Sequence, residues 1–308
     1  MYFDLENFGK KLYFFRKRLN LTQKDVSLSS GINVDTLRKI ENGKVIPKQE
    51  TLDLLSSVLK EDLNQVLLNY RLDHYSEFHK VKNRIERKLE SGEFDTLDVE
   101  KTSLQKFLNS NINTYFLNQI KQLVLLIESV ILRINDNDFS SSLLKLEDAL
   151  KITTPDFSLS NYQDFVYNDM EIRILMNISL VLNKTISTEK SLELMVFCRD
   201  MAEPDEDLYR KICYNLSYTY HRLDVHEKAL YYADLGINNS IQNRSLNYLN
   251  LLYFRKGIAE FLLKHSNYMD SLLKSTSFSE LLGHDDLNSM LIDSCKKFYN
   301  INIPKSNI

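Results

Sequence analysis

The sequence predicts an all-α protein built as two domains joined by a linker helix. Three observations carry this. Glycine and proline together number only eleven in 308 residues, roughly a third of ordinary usage. Apolar residues recur with the 3.6-residue period of a helix almost from end to end. Short polar gaps, rather than long loops, separate the periodic stretches. The length suits two domains and a large core. We read residues 1–70 as the first domain, 71–92 as the linker helix and 93–308 as the second domain.

A first helix is expected from about Phe8 to Leu19, with Leu12, Phe15 and Leu19 on one face. Thr22 can cap the next helix through its hydroxyl, with Asp25 reaching back as in a capping box. Val26 and Leu28 supply apolar anchors, and Gly31 supplies the left-handed residue that ends the helix. Asn33 caps a second short helix, in which Leu37 and Ile40 face inward and which Gly43 ends. Pro47 sits near a further helix start, where its missing N–H costs nothing. Leu52, Leu55 and Leu59 continue the stripe, followed by Leu63, Val66 and Leu67.

Two short capped helices separated by one glycine turn form the outline of a DNA-reading helix-turn-helix. Leu21-Thr22-Gln23, Gly31, Ile40-Glu41-Asn42-Gly43-Lys44 and Pro47 stand in the order and spacing of the five-helix module of phage-repressor-type regulators. Residues 8–67 closely resemble that module. The resemblance implies that the second helix of the pair enters the major groove. By position, Asn33, Val34, Asp35 and Lys39 become the base-facing candidates. Asp35 can accept from a cytosine amino group, Lys39 can donate to guanine, and Val34 can touch a thymine methyl. Asp35 and Lys39 are also spaced to pair with each other. Gln23, Arg38, Asn42, Lys44 and Lys48 are the phosphate candidates, which position the protein without reading sequence. Arg16 and Glu41 match a pair that forms a structural ion bridge in that family.

Charge follows the same map. Residues 10–48 hold ten basic residues and three acids, a net +7 in a chain of net −3, which leaves −10 elsewhere. A basic head on an acidic body implies that only the head meets nucleic acid.

Beyond residue 70 the helical period continues. Phe78, Val81, Ile85 and Leu89 form a stripe on the linker helix, followed by stripes at Leu104 to Leu108, Phe116 to Val130 and Leu143 to Leu150. Breaks fall at Ser91-Gly92, 135–138, 153–160, 202–207 and Gly283. Helices of this length with short gaps suggest stacked hairpins. The segment from Tyr214 to Tyr220, then Glu227-Lys228-Ala229-Leu230, Ala233 and Gly236, looks like a tetratricopeptide repeat, its small residues standing where helices cross closely. Met176 to Leu182 aligns one repeat earlier, with Asn177 and Asn215 in matching positions. Gly257 marks a weaker third copy. A helix from Leu287 to Phe298 is expected to cap the stack, and the last nine residues to fray.

Such a stack curves into a concave face suited to an extended peptide. Asparagine carries both donor and acceptor, so a repeated Asn makes a backbone clamp. Arg173 and Asn177 are four apart, and Lys211 and Asn215 repeat that pair one unit later. With Tyr218 and Arg255 they form the candidate peptide site, its cations suited to a carboxylate. The alternative for these residues is an ordinary solvated helix face.

Head, linker helix and helical-repeat body together resemble the RRNPP quorum-sensing regulators of Gram-positive bacteria, of the PlcR and Rgg kind. The run Ala149 to Phe157, followed by Glu171 to Leu175, resembles their linking segments. What the resemblance implies is a homodimer that binds a short signalling peptide and a palindromic promoter. The competing reading keeps the DNA-binding head but gives the body only dimerisation or protein docking.

An enzyme is not expected. There is no HExxH, no glycine-rich phosphate loop and no nucleophile motif. His74 and His79, and His221 and His226, are each five apart, about 140° around a helix and poor as metal pairs. Cys198, Cys213 and Cys295 are scattered and read as core residues in a reducing compartment. No cofactor or metal is implied. The longest apolar run, Leu123 to Ile127, is far too short to span a membrane, and no signal-peptide pattern opens the chain. A soluble cytoplasmic protein is the expectation.

Overall fold

A computed structural model describes residues 3–70, 75–108 and 114–304. The regular elements among them are all helical. Two compact units form: residues 1–85 with 102–120, and residues 86–101 with 121–308. The division falls inside the helix that the sequence sets apart as a linker.

In the first unit, five helices enclose one core: α1 (Leu5–Arg18), α2 (Gln23–Ser30), α3 (Val34–Glu41), α4 (Gln49–Leu59) and α5 (Leu63–Leu68). The core is built from Phe8, Leu12, Phe15, Val26, Leu37, Ile40, Leu52, Leu55, Leu59 and Leu63, all buried. The local signals act as expected. Thr22 and Asp25 form the reciprocal capping box of α2, and Gly31 ends that helix at φ 73°. Asn33 Oδ1 caps α3 by accepting from Asp35 N at 2.8 Å. Asn42 is the C-cap of α3, and Gly43 follows at φ 66°. Leu28 is a correction: it is 76% exposed and anchors nothing. On an eight-residue helix, Val26 alone of that pair faces inward.

The next helix, α6 (Tyr75–Ser91), buries Phe78, Val81 and Ile85 as the stripe predicts, while Leu89 is only partly covered. Gly92 follows it at φ 82°. After α7 (Leu97–Phe107) comes α8 (Thr114–Ile134). By length and composition α8 is apolar enough to cross a membrane, which the longest-run reading missed. Its Ile120, Leu123, Val124, Leu126, Ile127 and Val130 are buried within the protein, as in a core helix.

In the second unit, α9 (Phe139–Lys151) packs on α10 (Asp169–Thr185). Three helical hairpins follow: α10 with α11 (Thr188–Met201), α12 (Asp207–Arg222) with α13 (His226–Gln242), and α14 (Leu249–Leu262) with α15 (Tyr268–Leu281). α16 (Asp285–Tyr299) closes on α15. Small residues set each crossing. Ser179 Oγ donates to Ser191 O at 2.7 Å, and Ser217 Oγ donates to Ala229 O at 2.7 Å in the next hairpin. A Cβ on Gly236 would lie 2.6 Å from Leu252 Cδ2, and one on Gly257 would lie 2.7 Å from Leu272 Cδ2. Hairpins packed this tightly stack in register. The tail is not wholly frayed: Ile301 is buried and its N–H donates to Cys295 O.

Candidate functional site

The head presents α3 as its outward helix. Leu37 and Ile40 lock it to the core, while Asn33, Val34, Asp35, Arg38 and Lys39 are exposed. Asp35 does not pair with Lys39. It takes Arg38 at 2.8 Å, one turn away, with both side chains more than 60% exposed. An exposed pair of this kind is worth little, so both groups are free to exchange partners. Asn42, Lys44 and Lys48 are exposed. Gln23 stands differently. It is half-buried and its Nε2 donates to Glu41 Oε2 at 2.7 Å, so its amide serves the ion bridge of the head. In that bridge Arg16 Nε and Nη2 reach Glu41 Oε1 and Oε2 at 2.6 and 2.9 Å, and Arg16 Nη1 donates to Leu21 O.

In the body, α12 neighbours both α10 and α14, and all six peptide candidates lie on these three helices. They form two groups. The first joins Arg173, Asn177, Lys211 and Asn215, between the second turn and the middle of α10 and α12. Arg173, Asn177 and Asn215 are each less than 10% exposed. Asn177 Nδ2 donates to Arg173 O at 2.9 Å, and its Oδ1 accepts from Arg133 Nη2 at 3.4 Å. Asn215 Nδ2 contacts Met176 Sδ at 3.6 Å. The second group lies about one turn further along α12 than Asn215. There the Arg255 guanidinium covers the Tyr218 ring at 4.7 Å, with Tyr214 and Phe254 close by.

Around the first group stand residues the sequence reading did not single out. Glu86, on the C-terminal half of α6, ion-pairs with Arg173 across 87 residues of chain. Glu90, one turn on, faces Lys211 and Asp207. Burial pushes the Glu90 carboxyl up to about 7, with Asp207 adding to the rise and Lys211 opposing it. Burial pulls Lys211 down to about 8, with Arg173 contributing, and pulls Arg133 down to about 10. Burial opposes the charge of Arg173, but the Glu86 carboxylate outweighs it and the guanidinium is held more firmly protonated than usual. Burial first, then Glu90, raises the Tyr248 hydroxyl well above its ordinary range. The sequence signal for the acids was present, two glutamates four apart on one face of the linker helix. What they would face was not, because the contact is far from local.

Among the described residues no cluster of metal-ligating side chains forms. His221 and His226 do approach, with ring centroids 5.7 Å apart. The 140° argument fails for them because they lie on different helices, α12 and α13. His221 Nε2 is engaged with Tyr299 Oη at 2.7 Å. His74 lies outside the described residues.

A helix-turn-helix family matches residues 12–66. No curated protein matches the chain. Among solved structures, PlcR of Bacillus thuringiensis in complex with the peptide PapR7 and DNA is similar over 94% of this chain and 99% of that one, at 17% identity and TM-score 0.71. ComR from S. thermophilus, in complex with DNA and its signalling peptide ComS, matches over 96% and 100%, at 14% identity and TM-score 0.60. The SHP pheromone receptor Rgg2 of Streptococcus dysgalactiae matches over 94% and 99%, at 13% identity and TM-score 0.52. Residues 12–66 are thus a helix-turn-helix domain, and the chain as a whole has the fold of PlcR, ComR and Rgg2.

Proposed function

We propose that the chain is a transcription regulator, not an enzyme. Its head binds promoter DNA as part of a cytoplasmic homodimer. Its body is switched by a short signalling peptide held along α10, α12 and α14. The observation that carries the peptide reading is the repeated pair on neighbouring helices, Arg173 with Asn177 and Lys211 with Asn215, gathered with Arg133 into one partly buried cationic patch. Buried cations of this density suit a ligand that brings its own carboxylate. For the head, α3 offers exposed Asn33, Val34, Asp35 and Lys39 to bases, and Arg38, Asn42, Lys44 and Lys48 to phosphates. Gln23 fits a phosphate role through its backbone at the start of α2 better than through its engaged amide. PlcR and ComR, which share this fold, were each crystallised with DNA and a peptide, which agrees with this assignment.

A second reading has its own support. Arg173 is already neutralised by Glu86, as befits a body that serves only dimerisation or protein docking. Isothermal titration calorimetry distinguishes the two. The protein is titrated with synthetic C-terminal fragments of small open reading frames beside its gene. Saturable binding of one fragment, weakened in Lys211→Met, supports the peptide reading. Heat of dilution alone for every fragment overturns it.

A further inference from the structure

The body already holds carboxylates where an acidic ligand would go. Glu86 and Glu90 are four residues apart on α6 and share a face. Glu86 is ion-paired with Arg173, and Glu90 faces Lys211. The docking is incomplete in three respects. Arg133 and Lys211 form no ion pair among the described residues, although Arg133 and Arg173 both lie close enough to Lys211 to disfavour its charge. Arg173 Nη2 is buried without a hydrogen-bond partner. A cavity of about 190 Å³ remains beside Glu90, lined by Arg87, Tyr248, Asn250, Leu251 and His284. The charges are also held at a cost, with Glu90 raised to about 7 and Lys211 lowered to about 8, as expected when desolvation rivals attraction in a buried cluster.

The geometry points to Glu86 and Glu90 as an internal counter-ligand, which a peptide bearing a carboxylate displaces from Arg173 and Lys211, freeing the last turns of α6. This rests on the peptide reading above and deepens it. Exchange of one carboxylate for another never leaves Arg173 bare, so the cations lose no ion pair. A peptide without a carboxylate at that point strands buried cations, which is costly. The cavity beside Glu90 accepts the side chain next to the incoming carboxylate. The chain leaves the helix-turn-helix domain through α6, so release of residues 86–91 is an event the head can sense. Glu86 and Glu90 are accordingly positioning residues. They set the peptide threshold, because apparent affinity falls with the fraction of molecules whose site is open.

The test uses the full-length protein and heptapeptides from the C-terminal ends of small open reading frames flanking its gene, each made as free acid and as amide. Binding is measured for wild type, for Glu86→Gln/Glu90→Gln, and for Asp95→Asn, an exposed acid that matches the charge change of a single substitution. Hydrogen exchange follows residues 86–91. The proposal expects one free-acid peptide to bind about tenfold more tightly to the double variant than to wild type, and Asp95→Asn to match wild type. It also expects exchange over 86–91 to rise when that peptide binds wild type, and to be high already in the unliganded double variant. Equal affinity in wild type and double variant, with 86–91 protected throughout, overturns the counter-ligand and leaves the peptide reading standing. Binding to none of the proteins overturns the peptide reading itself, and the counter-ligand with it.

Discussion

Arg16 and Glu41 form a two-pronged ion pair at 2.6 and 2.9 Å, each side chain 5% exposed, that ties α1 to the last turn of the outward helix α3. Gln23 adds a third hydrogen bond to the same carboxylate. Losing one member of a buried pair leaves the other charged and desolvated, at a cost of about 3–5 kcal/mol. Glu41→Gln is therefore expected to lower the melting temperature of the head and weaken DNA binding through loss of folded protein. Replacing both members, as Arg16→Met/Glu41→Leu, recovers much of the loss. Thermal melts of the single and double variants check this. A Glu41→Gln melt equal to wild type contradicts the role given to the pair.

Lys39 and Lys44 are both exposed cations on the head, yet different roles are predicted. Lys39 lies on α3 and is assigned to base edges. Lys39→Ala should reduce the preference for cognate over scrambled DNA by roughly 1–3 kcal/mol. Lys44→Ala should weaken both DNAs alike and reduce the salt slope by about one. Salt titrations on the two DNAs measure both quantities. Equal loss on cognate and scrambled DNA for Lys39→Ala removes it from base reading.

Gly9 makes the closest approach in the head. A Cβ there would lie 2.3 Å from Glu41 O and 2.6 Å from Ile40 O. These are backbone atoms of α3, so α1 and α3 would have to separate. Gly9→Ala gains up to about 1 kcal/mol in helix propensity. Overpacking costs about 1–3 kcal/mol, occasionally more. A net loss of stability is expected in a denaturant melt, and a gain would contradict the close crossing.

Glu90 gives the body a pH dependence. Its carboxyl is raised from 4.5 to about 7, chiefly by burial. Between those values the folded chain holds a proton that the unfolded chain has released, so this group's contribution falls as pH rises from about 4.5 to 7. Glu90→Gln removes that fall. The variant should match wild type near pH 4.5 and exceed it near pH 7 by about 1–2 kcal/mol after allowance for solvent, or about 3–6 °C. Thermal melts across this range read the difference. A constant offset between the two proteins contradicts the assignment.

Local signals were the legible part of this chain. The Thr22 and Asp25 box, the Gly31 turn and the Asn33 cap depend on residues two to four apart, and each formed as read. The Arg16 and Glu41 bridge came through the ordered resemblance of the head. The small residues Ala229, Ala233, Gly236 and Gly257 marked helix crossings because a close crossing excludes larger side chains. Leu28 misled because period alone does not say which side of a short helix is covered. Gly9 was silent in sequence, since its constraint comes from a backbone 31 or 32 residues away. Glu86 showed only as one of two acids four apart on the linker helix, and what it faces was silent for the same reason. Its partner Arg173 lies 87 residues on, and only the folded body brings an acid of the linker helix to a cation of α10.

The central claim is that DNA binding by the head answers to a peptide on the body. It is tested most directly by fluorescence anisotropy of the protein on its own upstream DNA. The titration is run with and without synthetic C-terminal fragments of small open reading frames beside the gene. A shift in DNA affinity with one fragment, lost in Lys211→Met, is the predicted result and gives the sign of the switch. Tight DNA binding that ignores every fragment contradicts the claim and assigns the body to dimerisation or docking alone.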